Sequence, residues 1–134
     1  MSRFLEAIVS PDARVRNTPV EVLAAGLTAR ELWSACLEID AFRRESGNLY
    51  HRVRALFFLY AICRFFLPPL LDAGSPDLIP AGVHSHLLDR RFPEAIDELL
   101  AAAGKGVPDD PFCSGLAQAF YQLGLQNLAD QVRS

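Results

Sequence analysis

Apolar residues recur along this chain at helical spacing, in runs bounded by helix-start and helix-stop residues. Phe4, Leu5, Ile8 and Val9 predict a short amphipathic helix over residues 1–9, and Pro11 through Asn17 reads as a loop. Thr18-Pro19-Val20-Glu21 is a start signal, with Thr18 as cap, Pro19 in the first helical position and Glu21 reaching back, and Gly26 ends that helix. Thr28 and Glu31 form a second capping box ahead of a helix from about Ala29 to Arg44, in which Leu32, Trp33, Cys36, Leu37 and Ile39 make adjoining apolar lines. Ser46-Gly47-Asn48 breaks the chain, and Asn48 caps the most apolar helix, Leu49 to Leu67, which Pro68 terminates. That helix is apolar nearly all round, so it belongs at the centre of the molecule.

Residues 68–79, with three Pro, one Gly and two Asp, read as a connecting loop. Four shorter helices follow: Pro80–Asp89, Pro93–Ala103, Pro111–Leu123 and Leu125–Arg133, with a Pro starting the first three and Gly104 and Gly124 at helix ends. No window alternates β-branched and polar residues with period two, so no sheet is expected. The predicted fold class is all-α. It is a single helical domain over 1–134, with an N-terminal hairpin region at 1–67 packed on further hairpins at 79–134.

Composition agrees with a folded core: 51% of residues are hydrophobic and 22% charged. Five of the nine Phe fall between Phe42 and Phe66. Net charge is −3, unevenly divided: nine Arg against seven acids through residue 66, then four basic residues against nine acids. No block of like charge stands out, so no nucleic-acid partner is expected. Cys36, Cys63 and Cys113 lie far apart without ligand spacing and read as buried free thiols of a reducing cytosol. Arg3 and Glu6 interrupt the start, and no signal peptide is expected. The run ALFFLYAICRFFLPPLL from Ala55 contains Arg64 and is broken by Pro68-Pro69, short of the roughly 20 residues a span needs. The expectation is a cytoplasmic protein, and the Arg-for-Lys bias points to a bacterial source.

RRFPEAIDELLAA aligns with GLQNLADQVRS at an offset of 34 residues when Ala95 is set on Ala129. Leu116, Ala117, Phe120, Gly124 and Ala129 complete the pattern, and residues 79–134 resemble a pair of tetratricopeptide repeats, each a helix-turn-helix unit. The resemblance implies a tight turn at Gly124, close helix approach at Ala117 and Ala129, and a protein-binding groove. Val83 and His86 depart from the pattern, and Pro108 lies about one place off. Separately, ESGNLYHRVRALFFLYAICRF resembles the N-terminal helical region of large bacterial proteins related to sugar-nucleotide uridylyltransferases. It implies an accessory helical region of a larger enzyme; the chain has no Gly-rich nucleotide loop, so no activity carries over.

Candidate sites are few. Arg43, Arg44, His51, Arg52 and Arg54 gather at the hairpin turn with Glu45, where a phosphate or acidic partner can dock or where a solvated tip simply carries Arg–Glu pairs. Arg64, inside an apolar helix, is expected to be buried and paired with Glu38 or Asp40, with a ligand-facing binding residue or plain exposure as the alternatives. His84 and His86 point about 200° apart on a helix, which argues against metal binding; no metal or cofactor is expected. Glu38, Asp40 and Glu45 have no His, Ser or Cys at a diagnostic spacing, so no catalytic residue is assigned. Phe57, Phe58, Tyr60, Phe65 and Phe66 cover more than one helix face, a surplus that marks an expected interface, to which Phe120 and Tyr121 are assigned as well. The function expected is a non-catalytic interaction or assembly module acting through a protein partner or its own copy, homo-oligomerisation included. The alternatives are an accessory domain of a sugar-nucleotide enzyme, and a small-ligand binder or enzyme with a pocket near Arg64.

Overall fold

A computed structural model describes residues 3–70, 90–103 and 110–133. The described residues form helices and no strands, an all-α fold. The predicted helix over Pro80–Asp89, His84 and His86, and most of the connecting loop, lie outside the described residues.

Helix α1 (Arg3–Val9) buries Phe4, Leu5, Ala7 and Ile8, the face its spacing predicts. The expected loop after it contains one more turn, α2 (Ala13–Arg16), started by the Asp12 carboxylate accepting from the Arg14 amide at 2.9 Å. Helix α3 (Val20–Ala24) has Pro19, not Thr18, at its cap, and no side chain caps it. The Thr18 hydroxyl donates instead to the Arg14 carbonyl at 3.2 Å, so the extra turn of α2 has taken it. Gly26 follows with φ +79°, the left-handed conformation that a glycine adopts without a Cβ penalty.

Helix α4 (Ala29–Glu45) has the predicted capping box intact: the Glu31 amide donates to the Thr28 hydroxyl at 3.2 Å, and the Thr28 amide to the Glu31 carboxylate at 3.1 Å. After Ser46–Asn48 comes α5 (Leu49–Ala61), where the Asn48 side chain accepts from the His51 amide at 3.2 Å. The expected helix to Leu67 does not stay α-helical. At Ile62–Phe66 it widens into a π turn, with the Leu67 amide donating to the Ile62 carbonyl five residues back at 2.8 Å. A 3₁₀ turn at Pro68–Leu70 ends it.

Helix α6 (Phe92–Ala103) packs on α7 (Asp110–Arg133) through Ala95, Ile96 and Leu99 against residues such as Leu116 and Phe120, all essentially without solvent contact. Helix α7 is continuous. The expected pair of helices broken at Gly124 is one rod, which removes the turn that the repeat resemblance implied there. Gly124 has another use. A Cβ on it would lie 3.2 Å from the Phe57 ring, so α5 and α7 approach face to backbone at this point.

Helix α5 occupies the centre, packed against α1, α4 and α7. One continuous buried cluster runs from Phe4 through Leu32, Ile39, Leu56, Leu59 and Ile62 to Leu99 and Phe120.

Candidate functional site

The basic hairpin tip is mostly internal scaffolding. Arg43 is buried, its Nε donating to Asp40 at 2.8 Å and its guanidinium lying 6.0 Å from the Phe120 ring centroid. Its Nη2 is buried without a hydrogen-bond partner among the described residues. Burial holds the Arg43 guanidinium below its ordinary value, although Asp40 opposes the shift. Arg44 spans two helices, from Asp40 on its own helix at 2.8 Å to Asp97 on α6 at 2.6 Å. Burial works against the charged form of Arg44, and the hydrogen bonds that it donates to Asp97 and Asp40 outweigh it and hold the group above its ordinary value.

Arg54 donates from Nη2 to the Arg16 carbonyl at 2.6 Å and to the Ala7 carbonyl at 3.4 Å. A cation thereby sits on the carbonyl end of α2 and ties α5 to the N-terminal helices. Its guanidinium also lies over Phe58 at 5.5 Å and Tyr50 at 5.9 Å. His51 sits 6.4 Å from the Phe42 ring and 6.3 Å from Tyr50, and Arg52 is half-buried. Five basic residues adjacent in sequence therefore do not converge on one exposed anion site: Arg43, Arg44 and Arg54 are engaged, and Asn48 itself fills the N-terminus of α5.

The structure corrects the placement of Arg64. It is exposed, and among the described residues no carboxylate pairs with it. Asp40, one of its expected partners, is held by Arg43 and Arg44. The π turn supplies the physical reason. Widening the helix to an i to i+5 repeat sets Phe65 edge-to-face against Tyr60, with ring centroids 5.8 Å apart and planes at 82°. Arg64 swings out with Phe65 and lies over its ring at 5.6 Å.

The expected interface aromatics divide in two. Phe58 and Phe120 belong to the core, contrary to the sequence reading. Phe66 is half-buried against the core. Phe57, Tyr60, Phe65 and Tyr121 form a ladder across α5, the π turn and α7. Phe57 meets Tyr121 at 6.1 Å, Tyr121 meets Tyr60 at 4.9 Å, and Tyr60 meets Phe65. Phe65 is 56% exposed, and along α7 the line Tyr121, Leu125, Leu128 continues the open surface at 38–41%. Spacings of four and three residues put these three on one side of the helix.

Beside the middle pair of the ladder, Tyr60, Arg64, Ser114, Ala117, Gln118 and Tyr121 line an open cleft of about 370 Å³. Sequence reasoning named Tyr60, Arg64 and Tyr121 but missed Ser114 and Gln118. A signal for them existed. Between Asp110 and Asp130 the helix carries no charged residue, in a chain that is 22% charged. Ser114, Gln118 and Tyr121 recur there at helical spacing.

Comparison with protein-family models, curated proteins and solved structures finds no match for this chain. Neither resemblance seen in the sequence gains support from those comparisons.

The three thiols are buried and unbridged. A hydrogen bond with Cys36, together with burial, pushes the Cys63 thiol well above its ordinary range. Among the described residues no group of His, Cys, Asp and Glu is arranged to hold a metal ion, and no helix is long and apolar enough to cross a membrane.

Proposed function

We propose that this chain is a non-catalytic helical docking module that binds a protein partner, or a second copy of itself, through the face shared by α5, the π turn and α7. One observation carries the reading. Tyr60, Phe65 and Tyr121 reach solvent within one aromatic ladder, and Leu125 and Leu128 continue from Tyr121 along α7, inside the stretch of that helix that carries no charge.

Apolar area left in water costs about 25 cal/mol for each Å² that a partner would otherwise cover. Single exposed apolar residues need no explanation, but a contiguous aromatic and leucine stripe does. The centres of protein interfaces are depleted in charge and enriched in aromatic residues, tyrosine among them, because charges are the costliest groups to desolvate. Apart from Arg64, the polar groups that line the cleft are neutral, such as Ser114 and Gln118, and a partner can satisfy them with ordinary hydrogen bonds. The cleft supplies a hydroxyl, an amide, two phenols and a guanidinium, with no histidine or carboxylate among its lining residues. That set suits recognition better than acid–base chemistry.

The test is site-specific photo-cross-linking in cells of the native host. Benzoylphenylalanine replaces Tyr121 or Leu125, and Leu37, exposed on α4, in a control. The reading expects discrete adducts from 121 and 125 and none from 37. Equal labelling from all three positions, or none from any, refutes it.

A further inference from the structure

The docking face contains one feature that restricts what can cover it. Among the described residues of the cleft, Arg64 is the charged one; its neighbours Tyr60, Ser114, Ala117, Gln118 and Tyr121 are neutral. A partner side chain that fills this cleft meets Arg64 together with the rings of Tyr60 and Tyr121. A cation buried there is strongly unfavourable unless the covering surface brings a counter-charge. Three other arginines of the α4–α5 hairpin already have partners within the fold: Arg43 donates to Asp40, Arg44 to Asp40 and Asp97, and Arg54 to the Arg16 carbonyl.

We infer that the occupant of this face is a short segment of a partner protein in which an aspartate or glutamate carboxylate, seated on Arg64, lies beside apolar side chains that run along Tyr121, Leu125 and Leu128. The inference rests on the docking reading above and adds the chemistry of the partner. The guanidinium lies over the Phe65 ring at 5.6 Å, and no carboxylate among the described residues uses its N–H donors, which match a carboxylate in paired fashion. Ser114 and Gln118 bring a hydroxyl and an amide to the same cleft. A space of about 370 Å³ lies at the small end of the range for enclosed ligand sites, and it holds one or two side chains rather than a whole cofactor. The apolar line on α7 begins at the cleft with Tyr121, so one extended or helical segment can fill both.

The test uses the full chain and a displayed library of random twelve-residue peptides. Selected peptides are synthesised with a fluorescein label, and their affinities are measured for the wild type, Arg64→Gln and Leu125→Glu. Both substitutions are at exposed positions, and circular dichroism checks that each variant keeps its helices. The inference expects peptides enriched in Asp or Glu next to Leu or Phe. Their binding falls at least tenfold on Arg64→Gln, and also on Leu125→Glu. Changing the peptide acid to its amide costs the same factor on the wild type and nothing further on Arg64→Gln.

Neutral apolar peptides that bind wild type and Arg64→Gln equally, yet fail on Leu125→Glu, overturn the carboxylate inference and leave the docking reading standing. So does a chain that selects no peptide but is a dimer by light scattering and a monomer as Leu125→Glu, because its own copy is then the occupant. Peptides indifferent to both substitutions, or a monomer that selects none, remove both readings.

Discussion

Asp40 is a buried anion with two cations for partners, and the three groups do not share the load equally. Arg43 lies almost wholly inside the protein and reaches Asp40 through one nitrogen, whereas Arg44 is partly exposed and has Asp97 as well. Removing Asp40 strands a buried guanidinium, and losses of about 3–5 kcal/mol are typical when one partner of a buried pair is deleted. Replacing Arg43 by Met leaves Asp40 still bonded to Arg44 and removes an already orphaned Nη2. Chemical denaturation is therefore expected to show Asp40→Ala losing several times more stability than Arg43→Met. Equal losses would mean that the packing of the Arg43 stem on Phe120, and not its charge, is what counts. Periodicity could not foresee this triad. It identified Arg64 as the costly cation, because a charge inside an apolar run looks buried when the helix is assumed to be regular. Which arginine goes inside is decided by the π turn and by the contacts of α4 with α6 and α7, neither of which leaves a mark on spacing.

Among elements, helix starts were the most legible feature. Thr28 with Glu31, and Asn48 before Leu49, act through hydrogen bonds within three residues, so local sequence is enough to specify them. Gly124 shows the opposite. A glycine after Leu123 suggests a stop, yet the helix passes straight through it, and the residue is small because Phe57 from another helix needs the room. Two forces therefore oppose each other in Gly124→Ala: helix propensity favours alanine by about 1 kcal/mol, and the new Cβ, 3.2 Å from the ring, pushes Phe57 away. In the native background the two are expected to cancel to within about 1 kcal/mol. In a Phe57→Ala background the same substitution is expected to stabilise by about 1 kcal/mol. Thermal unfolding of the four proteins of this cycle measures it. A turn at Gly124 would instead make Gly124→Ala destabilising in both backgrounds, since alanine tolerates the left-handed conformation poorly.

For the whole molecule, the apolar core and the apolar surface come from the same surplus. The all-α class and the central place of α5 follow from an apolar stretch that no single face can hide, and both were visible in the chain. The share of that surplus left outside was not. Phe58 and Phe120 are enclosed while Phe65 and Tyr121 are open, and the difference depends on helix rotation to within a fraction of a turn. The charge-free run of α7 was readable without coordinates and points to the same surface. If that surface is where the chain meets its partner, the open residues must become protected in the assembled state. Hydroxyl-radical footprinting compares the purified chain with the chain recovered in its native assemblies, residue by residue. The docking account predicts that Phe65, Tyr121, Leu125 and Leu128 lose reactivity on assembly while Leu37 and Val22, exposed on α4 and α3, stay unchanged. Reactivity unchanged at those four residues, or protection centred on Leu37 and Val22, would contradict it.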